Sequence, residues 1–198
     1  RLAAVFLLPR SMNSGVVALY LAEKGRVVVA RLPEGIGSRG DLHPVDLSQV
    51  PELRPFRLTT AAANVHDLRF GTLPGGLPSL DFEIRASTPH DPSQTSSFSV
   101  SCRFRFAKVL APALCVLERG ELRTQTPCEI ETLRVRKVRS RFEHGALSLD
   151  YSYDYKKSND EDDCGTAKYI IRKNETRHYR ARWDAKELHF APARRVVR

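Results

Sequence analysis

The chain has 198 residues, a formal net charge of +9 and 41% hydrophobic residues, enough to bury the core of one ordinary domain. No apolar run approaches the roughly 18 residues of a membrane span, so we expect no membrane partner. Because the chain begins with Arg1, we expect it to be a processed or partial chain. Residues 1–98 carry a net charge of +1 and residues 99–198 carry +8. The positive charge of residues 99–198 therefore indicates that this half binds an acidic partner.

The cysteines argue against both a disulfide scaffold and a zinc site. Cys102, Cys115, Cys128 and Cys164 include no CxxC pair, and no histidine spacing accompanies them. Three of them recur every thirteen residues, which we interpret as coincidence. The sequence thus predicts reduced cysteines in a reducing compartment, with no metal and no cofactor.

The first half predicts a hairpin followed by a long connection. Residues 16–22 and 26–32 are apolar runs around a glycine turn, the pattern of a β-hairpin. Residues 33–55 hold four prolines and three glycines and predict an irregular loop. A strand is expected at 56–59, and an alanine-rich helix at 61–70 that ends at Gly71.

The second half is a succession of strands. Apolar and polar residues alternate at 80–85, 98–106 and 147–155, and 133–142 is strand-like and basic. Residues 109–117 contain a proline and fit a short helix or an edge strand. Residues 168–172 and 177–183 fit a hairpin. The predicted fold class is α+β and β-dominated, with antiparallel sheets and one or two short helices. We expect one β-rich RNA-binding domain over 1–190 and a basic tail over 191–198.

The candidate binding residues are cations that alternate along these strands. A basic sheet face suits a phosphate backbone. The candidates for RNA contact are Arg103, Arg105, Arg134, Arg136, Lys137, Arg139, Arg141, Arg177, Arg180, Arg182, Arg194 and Arg195.

Strict alternation divides the densest cluster between two faces. Arg134 and Arg136 fall on one side, and Lys137, Arg139 and Arg141 fall on the other. A β-bulge near Lys137 and Val138 reunites them under this hypothesis. The alternative interpretation of the cluster is a solvated face that keeps the protein soluble.

The remaining motifs of the sequence are weaker evidence for a binding or catalytic site. Tyr151, Tyr153 and Tyr155 alternate as core residues do, although exposed tyrosines can stack on bases. The acidic residues of 159–163 lack the spacing of a calcium loop. The glycine-rich stretch 35–40 and the sequon 174–176 are interpreted as a plain loop and as chance. No catalytic fingerprint occurs, so we expect no enzyme.

The order of elements over residues 16–70 resembles a known family. A strand, a glycine turn, the apolar strand 27–30, a loop ending in Asp46-Leu47-Ser48, a short strand with Arg57 and a helix ending near Asp67-Leu68 follow one another. This order resembles the Whirly-type fold, and within it the mitochondrial RNA-binding proteins of kinetoplastid protists. The resemblance implies sheets packed on helices, oligomeric assembly, a mitochondrial location and single-stranded nucleic acid on the sheet surface. The lysine-glycine-lysine element of plant Whirly proteins is absent before Val16.

Charge and resemblance together predict a non-enzymatic RNA-binding component of a mitochondrial ribonucleoprotein, such as the mitochondrial ribosome. Its expected partners are ribosomal RNA and neighbouring proteins. A first alternative is a free factor that binds guide or messenger RNA and promotes annealing. A second alternative is a protein-interaction subunit of an oligomeric complex, whose basic face meets acidic protein.

Overall fold

The computed structural model describes residues 2–8, 15–22, 26–33, 41–45, 50–53, 55–56, 63–87, 93–105, 111–159 and 167–197. Within these ranges the chain forms strands and no helix. The strands are β1 (Leu2–Leu8), β2 (Gly15–Ala22), β3 (Arg26–Pro33), β4 (Asp41–Val45), β5 (Ala63–Leu73), β6 (Leu77–Ser87), β7 (Gln94–Arg105), β8 (Ala111–Gln125), β9 (Glu129–Glu143), β10 (Ala146–Asn159), β11 (Ile170–Asp184), β12 (His189–Phe190) and β13 (Arg194–Val196).

The strands form two antiparallel sheets. β1 to β4 make a four-stranded sheet in chain order, so the hairpin predicted at 16–32 is confirmed. β5 to β11 follow one another across a second, open sheet, and β12 and β13 both pair with β11. The β-dominated, antiparallel character predicted from alternation is therefore confirmed, and residues 194–196 of the basic tail belong to the sheet.

Three of the predicted elements are wrong. Residues 63–73 form β5 instead of a helix, because β6 offers a partner along its length and sheet pairing outweighs the helix propensity of the alanines. Residues 170–184 form one continuous strand instead of a hairpin, because β10 pairs with it from Ser158 to Ala146. The loop predicted at 33–55 contains β4. Phe56 lies in a bend, and the rest of the strand predicted at 56–59 lies outside the described residues.

The main core lies on one face of the second sheet. Leu80, Phe104 and Tyr151 are fully buried there, and Phe56 from the segment before β5 packs over Gly120 of β8. A side chain at position 120 would overlap with the Phe56 ring, so glycine is required by this close approach. This face will be called the core face.

The sheet divides between β8 and β9. These strands pair only over Arg119–Gln125 and residues 130–136. Beyond this segment a cavity of about 580 Å³ opens between them, lined by Val116 and Glu118 of β8 and by Lys137 and Ser140 of β9. A second small core is formed by Leu73 of β5, Ala113 of β8, Ala181 of β11 and Phe190 of β12.

The prediction of reduced cysteines is wrong. Cys102 of β7 and Cys115 of β8 are directly opposite one another and form a disulfide, and Cys128 is also disulfide-bonded. The spacing of thirteen residues is what brings Cys102 and Cys115 opposite one another across β7 and β8. The premise for a reducing compartment therefore fails.

Removing the Cys102–Cys115 disulfide should destabilise the fold. Its sequence separation of thirteen residues implies a loss of about 3 kcal/mol in the free energy of unfolding, from loop-closure entropy. Urea denaturation of the Cys102→Ala/Cys115→Ala variant measures this loss. A Ser97→Ala variant, changed at an exposed site on β7, should match the wild type. Equal stability of the cysteine variant and the wild type would contradict the prediction.

A polar network links β5, β6 and β7 on the face opposite the core. Glu83 accepts hydrogen bonds from Arg85, at 2.7 Å, and from Ser99, at 2.5 Å. Arg85 also bonds to Asp67, at 3.3 Å. The hydrogen bond from Arg85, assisted by that from Ser99, lowers the pKa of Glu83 to about 2, against an opposing effect of burial. Folding therefore favours the charged carboxylate.

Glu83→Gln should lower stability in a pH-dependent way. Because the folded-state pKa is below the ordinary 4.5, the carboxylate stabilises the protein above pH 4.5, and this stabilisation is lost as pH falls toward about 2. The difference in Tm between wild type and variant should be largest at neutral pH and shrink below pH 4.5. Glu187→Gln, whose carboxylate makes no contact within the described part of the chain, is the control. A pH-independent difference would refute the role of this charge.

Candidate nucleic-acid interface

One extra residue in β9 decides where its arginines point. Arg139 is opposite Asp150 of β10 and Lys137 is opposite Tyr151, which leaves Val138 as a bulge. Arg139 and Arg141 therefore share a face with Arg134 and Arg136, as the bulge hypothesis requires. Lys137 is the exception and lies on the core face.

A basic surface follows from this register. Residues directly opposite one another in neighbouring strands lie on the same face, and the pairings extend the face of Arg134 across five strands. We call this surface the arginine face. Its exposed arginines are Arg119, Arg123, Arg134, Arg136, Arg139, Arg141, Arg172, Arg180, Arg182 and Arg194.

Several of these arginines are not neutralised. Arg134 pairs with Glu121 at 3.2 Å, and Arg141 pairs with Glu143 at 3.2 Å. The other members have no carboxylate partner among the described residues: Arg119, Arg123, Arg136, Arg139, Arg172, Arg180, Arg182 and Arg194. Among its described residues the face carries more arginines than carboxylates, so it has an excess of positive charge.

Arginine is directly opposite arginine at two places on the face. Arg119 of β8 is opposite Arg136 of β9, and Arg180 of β11 is opposite Arg194 of β13. Directly opposed side chains have Cβ atoms about 5 Å apart, and like charges at that distance destabilise a sheet. An anion that contacts both members of a pair removes this repulsion.

A shallow depression of about 470 Å³ surrounds the first of these pairs. Its charged lining consists of Arg85, Arg119, Glu121, Arg134 and Arg136, and serines also line it. Arg85 and Arg134 are ion-paired with carboxylates, whereas Arg119 and Arg136 are not. Guanidinium groups donate hydrogen bonds to phosphate oxygens. Arg119 and Arg136 are therefore the two cations of this depression that remain free to contact an anion.

The structure places other candidates away from this face. Lys137 bonds to Glu118 at 2.5 Å. Arg177 lies on the core face, where it pairs with Glu52 and Glu175 and stacks on Tyr153 at 3.8 Å. Lys137 and Arg177 therefore lie on the core face, beside Tyr151, and not on the arginine face.

Three further candidates are also held elsewhere. Arg195 lies on the core side of β13 and bonds to Glu175 at 2.5 Å. Arg103 pairs with the buried Asp81 at 3.0 Å and lines the 580 Å³ cavity. Arg105 donates to the carbonyl of Glu187 at 3.0 Å. Contacts within the protein therefore occupy all three side chains.

The tyrosines of β10 belong to the core face. Tyr151 is fully buried and Tyr153 nearly so, and the Tyr151 ring packs edge-on against Tyr179. Burial raises the pKa of Tyr151, and the nearby carboxylates of Glu118 and Glu52 raise it further. Core packing is confirmed for Tyr151 and Tyr153, and neither ring is available to stack on bases.

Sequence reasoning missed Arg119 and Arg123. Both lie between the segments 109–117 and 133–142, in a stretch for which the sequence predicted no element. The sequence signal for both residues was the alternation of Arg119, Glu121 and Arg123. Only the pairing of β8 with β9 shows that these residues share a face with the other arginines.

The carboxylates that line the 580 Å³ cavity are engaged by neighbours: Asp67 and Glu83 by Arg85, Asp81 by Ser79 and Arg103, and Glu118 by Lys137. No group of three metal-ligating side chains occurs within the described ranges. The described part of the chain also contains no helix that could span a membrane. Residues 35–40 and 160–163, named above as candidate loops, lie outside the described residues.

Comparison of the chain with protein-family models, with curated proteins and with solved structures gives no match.

Proposed function

We propose that the arginine face binds RNA through its phosphate groups, as part of a non-enzymatic component of a mitochondrial ribonucleoprotein such as the mitochondrial ribosome. The observation that carries the proposal is the presence of two pairs of opposed arginines, Arg119 with Arg136 and Arg180 with Arg194, without carboxylate partners in the described structure. When the arginines neutralise phosphate groups, counterions that were condensed on the RNA are released. This release favours binding. Contacts of this kind position a backbone and read no sequence.

The Whirly-type resemblance supports the mitochondrial part of the proposal. The resemblance implies nucleic acid on a sheet surface, and it is carried by residues 16–70, whereas the arginine face lies outside this range. Residues 63–73, where the family has a helix, form a strand here. The Whirly-like fold and the organelle therefore rest on the resemblance alone, whereas RNA binding rests on the arginine face.

A second candidate ligand is a sulfated polysaccharide. The disulfides of Cys102, Cys115 and Cys128 favour it, because disulfides persist mainly in oxidising compartments and outside cells. Sulfate groups offer the same acceptor oxygens as phosphates. This candidate predicts that a heparin-like chain binds more tightly than RNA of equal length.

Removing one opposed pair should weaken RNA binding. At 0.1 M salt each lost phosphate contact lowers log affinity by roughly 0.7 to 0.9, so Arg119→Ala/Arg136→Ala should bind roughly thirtyfold more weakly. The slope of log affinity against log salt should become shallower by about 1.5. Fluorescence anisotropy with a labelled RNA between 0.05 and about 0.3 M salt measures both quantities.

The matched control is Lys173→Ala/Lys186→Ala, which removes the same charge from exposed sites outside the arginine face. It should retain wild-type affinity at moderate salt. Equal weakening of both variants means that only net charge matters, and it overturns the site. Absence of salt-sensitive RNA affinity in the wild type overturns the RNA function and favours a protein partner.

A further inference from the structure

A single Asn-X-Ser/Thr sequon occurs in the sequence, at Asn174, Glu175 and Thr176. This pattern is the acceptor site for N-linked oligosaccharides when its middle residue is not proline. Its interpretation as chance depended on the expectation of reduced cysteines. The disulfides of the described structure remove that premise, so the surroundings of Asn174 decide whether the sequon can be used.

The sequon lies on the outer part of β11. On one side of this strand, β10 pairs with residues 170–182. On the other side, β13 pairs with residues 178–180 and β12 with residues 183–184. Among the described residues, no strand therefore pairs with residues 174–176 on the side away from β10. An open edge of this kind leaves room for a bulky oligosaccharide.

The acceptor side chain is accessible. Asn174 and Thr176 are both exposed, and they lie on the same face because they are two residues apart on a strand. The Asn174 amide nitrogen donates to the Asp154 carboxylate at 3.0 Å and to the Lys173 carbonyl at 3.2 Å. An amide nitrogen has two hydrogens to donate, and glycosylation replaces only one of them. The modified asparagine can therefore keep one of these hydrogen bonds.

The disulfides are independent evidence for the compartment in which this modification takes place. Cys102 is bonded to Cys115, and Cys128 is also disulfide-bonded. Disulfides form and persist in secreted proteins and in the lumen of the endoplasmic reticulum, and they are rare where thiols are kept reduced. N-linked oligosaccharides belong to secreted proteins as well. Two unrelated features of the chain, the sequon and the disulfides, thus indicate the same compartment.

We propose that Asn174 carries an N-linked oligosaccharide. The donor is of the class in which an oligosaccharide is joined through a diphosphate to a polyprenol lipid. The amide nitrogen of Asn174 forms a bond to the anomeric carbon of the first sugar, and the bond between this carbon and the diphosphate oxygen breaks. Polyprenyl diphosphate leaves with the bonding electron pair, and the amide loses one proton to the solvent. No group is oxidised or reduced.

The proposal goes beyond the proposed function and does not depend on the ligand of the arginine face. Asn174 is opposite Asp154, which is opposite Arg134, so the glycan stands at the outer edge of that face. A glycosylated chain has entered the secretory pathway. A glycan would therefore overturn the mitochondrial location, which rests on the resemblance alone, and would leave anion binding by the arginines standing.

Mass spectrometry of the protein isolated from the cells that produce it tests the proposal. The peptide that contains residue 174 should be heavier by the mass of an oligosaccharide, and peptide-N-glycosidase should remove this mass and leave aspartate at that position. A peptide with unmodified Asn174 would overturn the proposal. It would leave the RNA function untouched, because the anisotropy measurement on unglycosylated protein decides that function separately.

Three variants of the full chain, directed by a secretory leader into the endoplasmic reticulum of cultured mammalian cells, test the sequon itself. Asn174→Gln and Thr176→Ala should lack the glycan, whereas Thr176→Ser should retain it, because serine also completes the sequon. Electrophoretic mobility in total cell protein, before and after peptide-N-glycosidase, reports the modification whether or not a variant folds. An unmodified wild-type chain, or a glycan that persists in Asn174→Gln, would also overturn the proposal.

Discussion

The register between β9 and β10 is the constraint on which the candidate site depends. A strand directs successive side chains to opposite faces, so without the bulge at Val138 the arginines at 139 and 141 would face the core side with Tyr151 and Leu149. The added residue reverses the alternation at one point. Lys137, just before the reversal, stays on the core face and is neutralised by Glu118. A one-residue irregularity thus separates a structural lysine from exposed arginines.

The concentration of charge on one face depends on the packing of the other. The arginine face is self-repelling, and its strands stay paired because Leu117, Val135, Leu149 and Tyr151 are buried on the core face. Burial of one such side chain contributes about 1.5–3 kcal/mol, more than an opposed pair of exposed, hydrated arginines costs, since cross-strand pairs contribute at most about 1 kcal/mol. The core can therefore support an electrostatically unfavourable surface, which a bound anion would relieve.

Most of the second sheet could be predicted from the sequence, because period-two alternation is a local signal. The alternation of Leu80, Phe82 and Ile84, for example, predicts β6 directly. The helix expected at 61–70 failed because pairing with β6 is not local. The register of Cys102 and Cys115 was missed for the same reason, although their spacing was visible. For the site, composition located the basic half, but the sequence alone could not choose between a bulged and a regular β9. It also could not reveal that Glu52, from a distant loop, neutralises Arg177.

The chemistry of the arginine face limits what it can recognise. The pairing of the strands fixes the spacing of their Cα atoms, but each exposed arginine side chain keeps several rotatable bonds, so its guanidinium group can adjust to the charges of a ligand. Guanidinium groups form paired hydrogen bonds with the oxygens of phosphate or sulfate groups. Such contacts depend on charge and geometry and would carry no information about a base sequence. Any specificity of this face would therefore have to come from side chains other than its arginines.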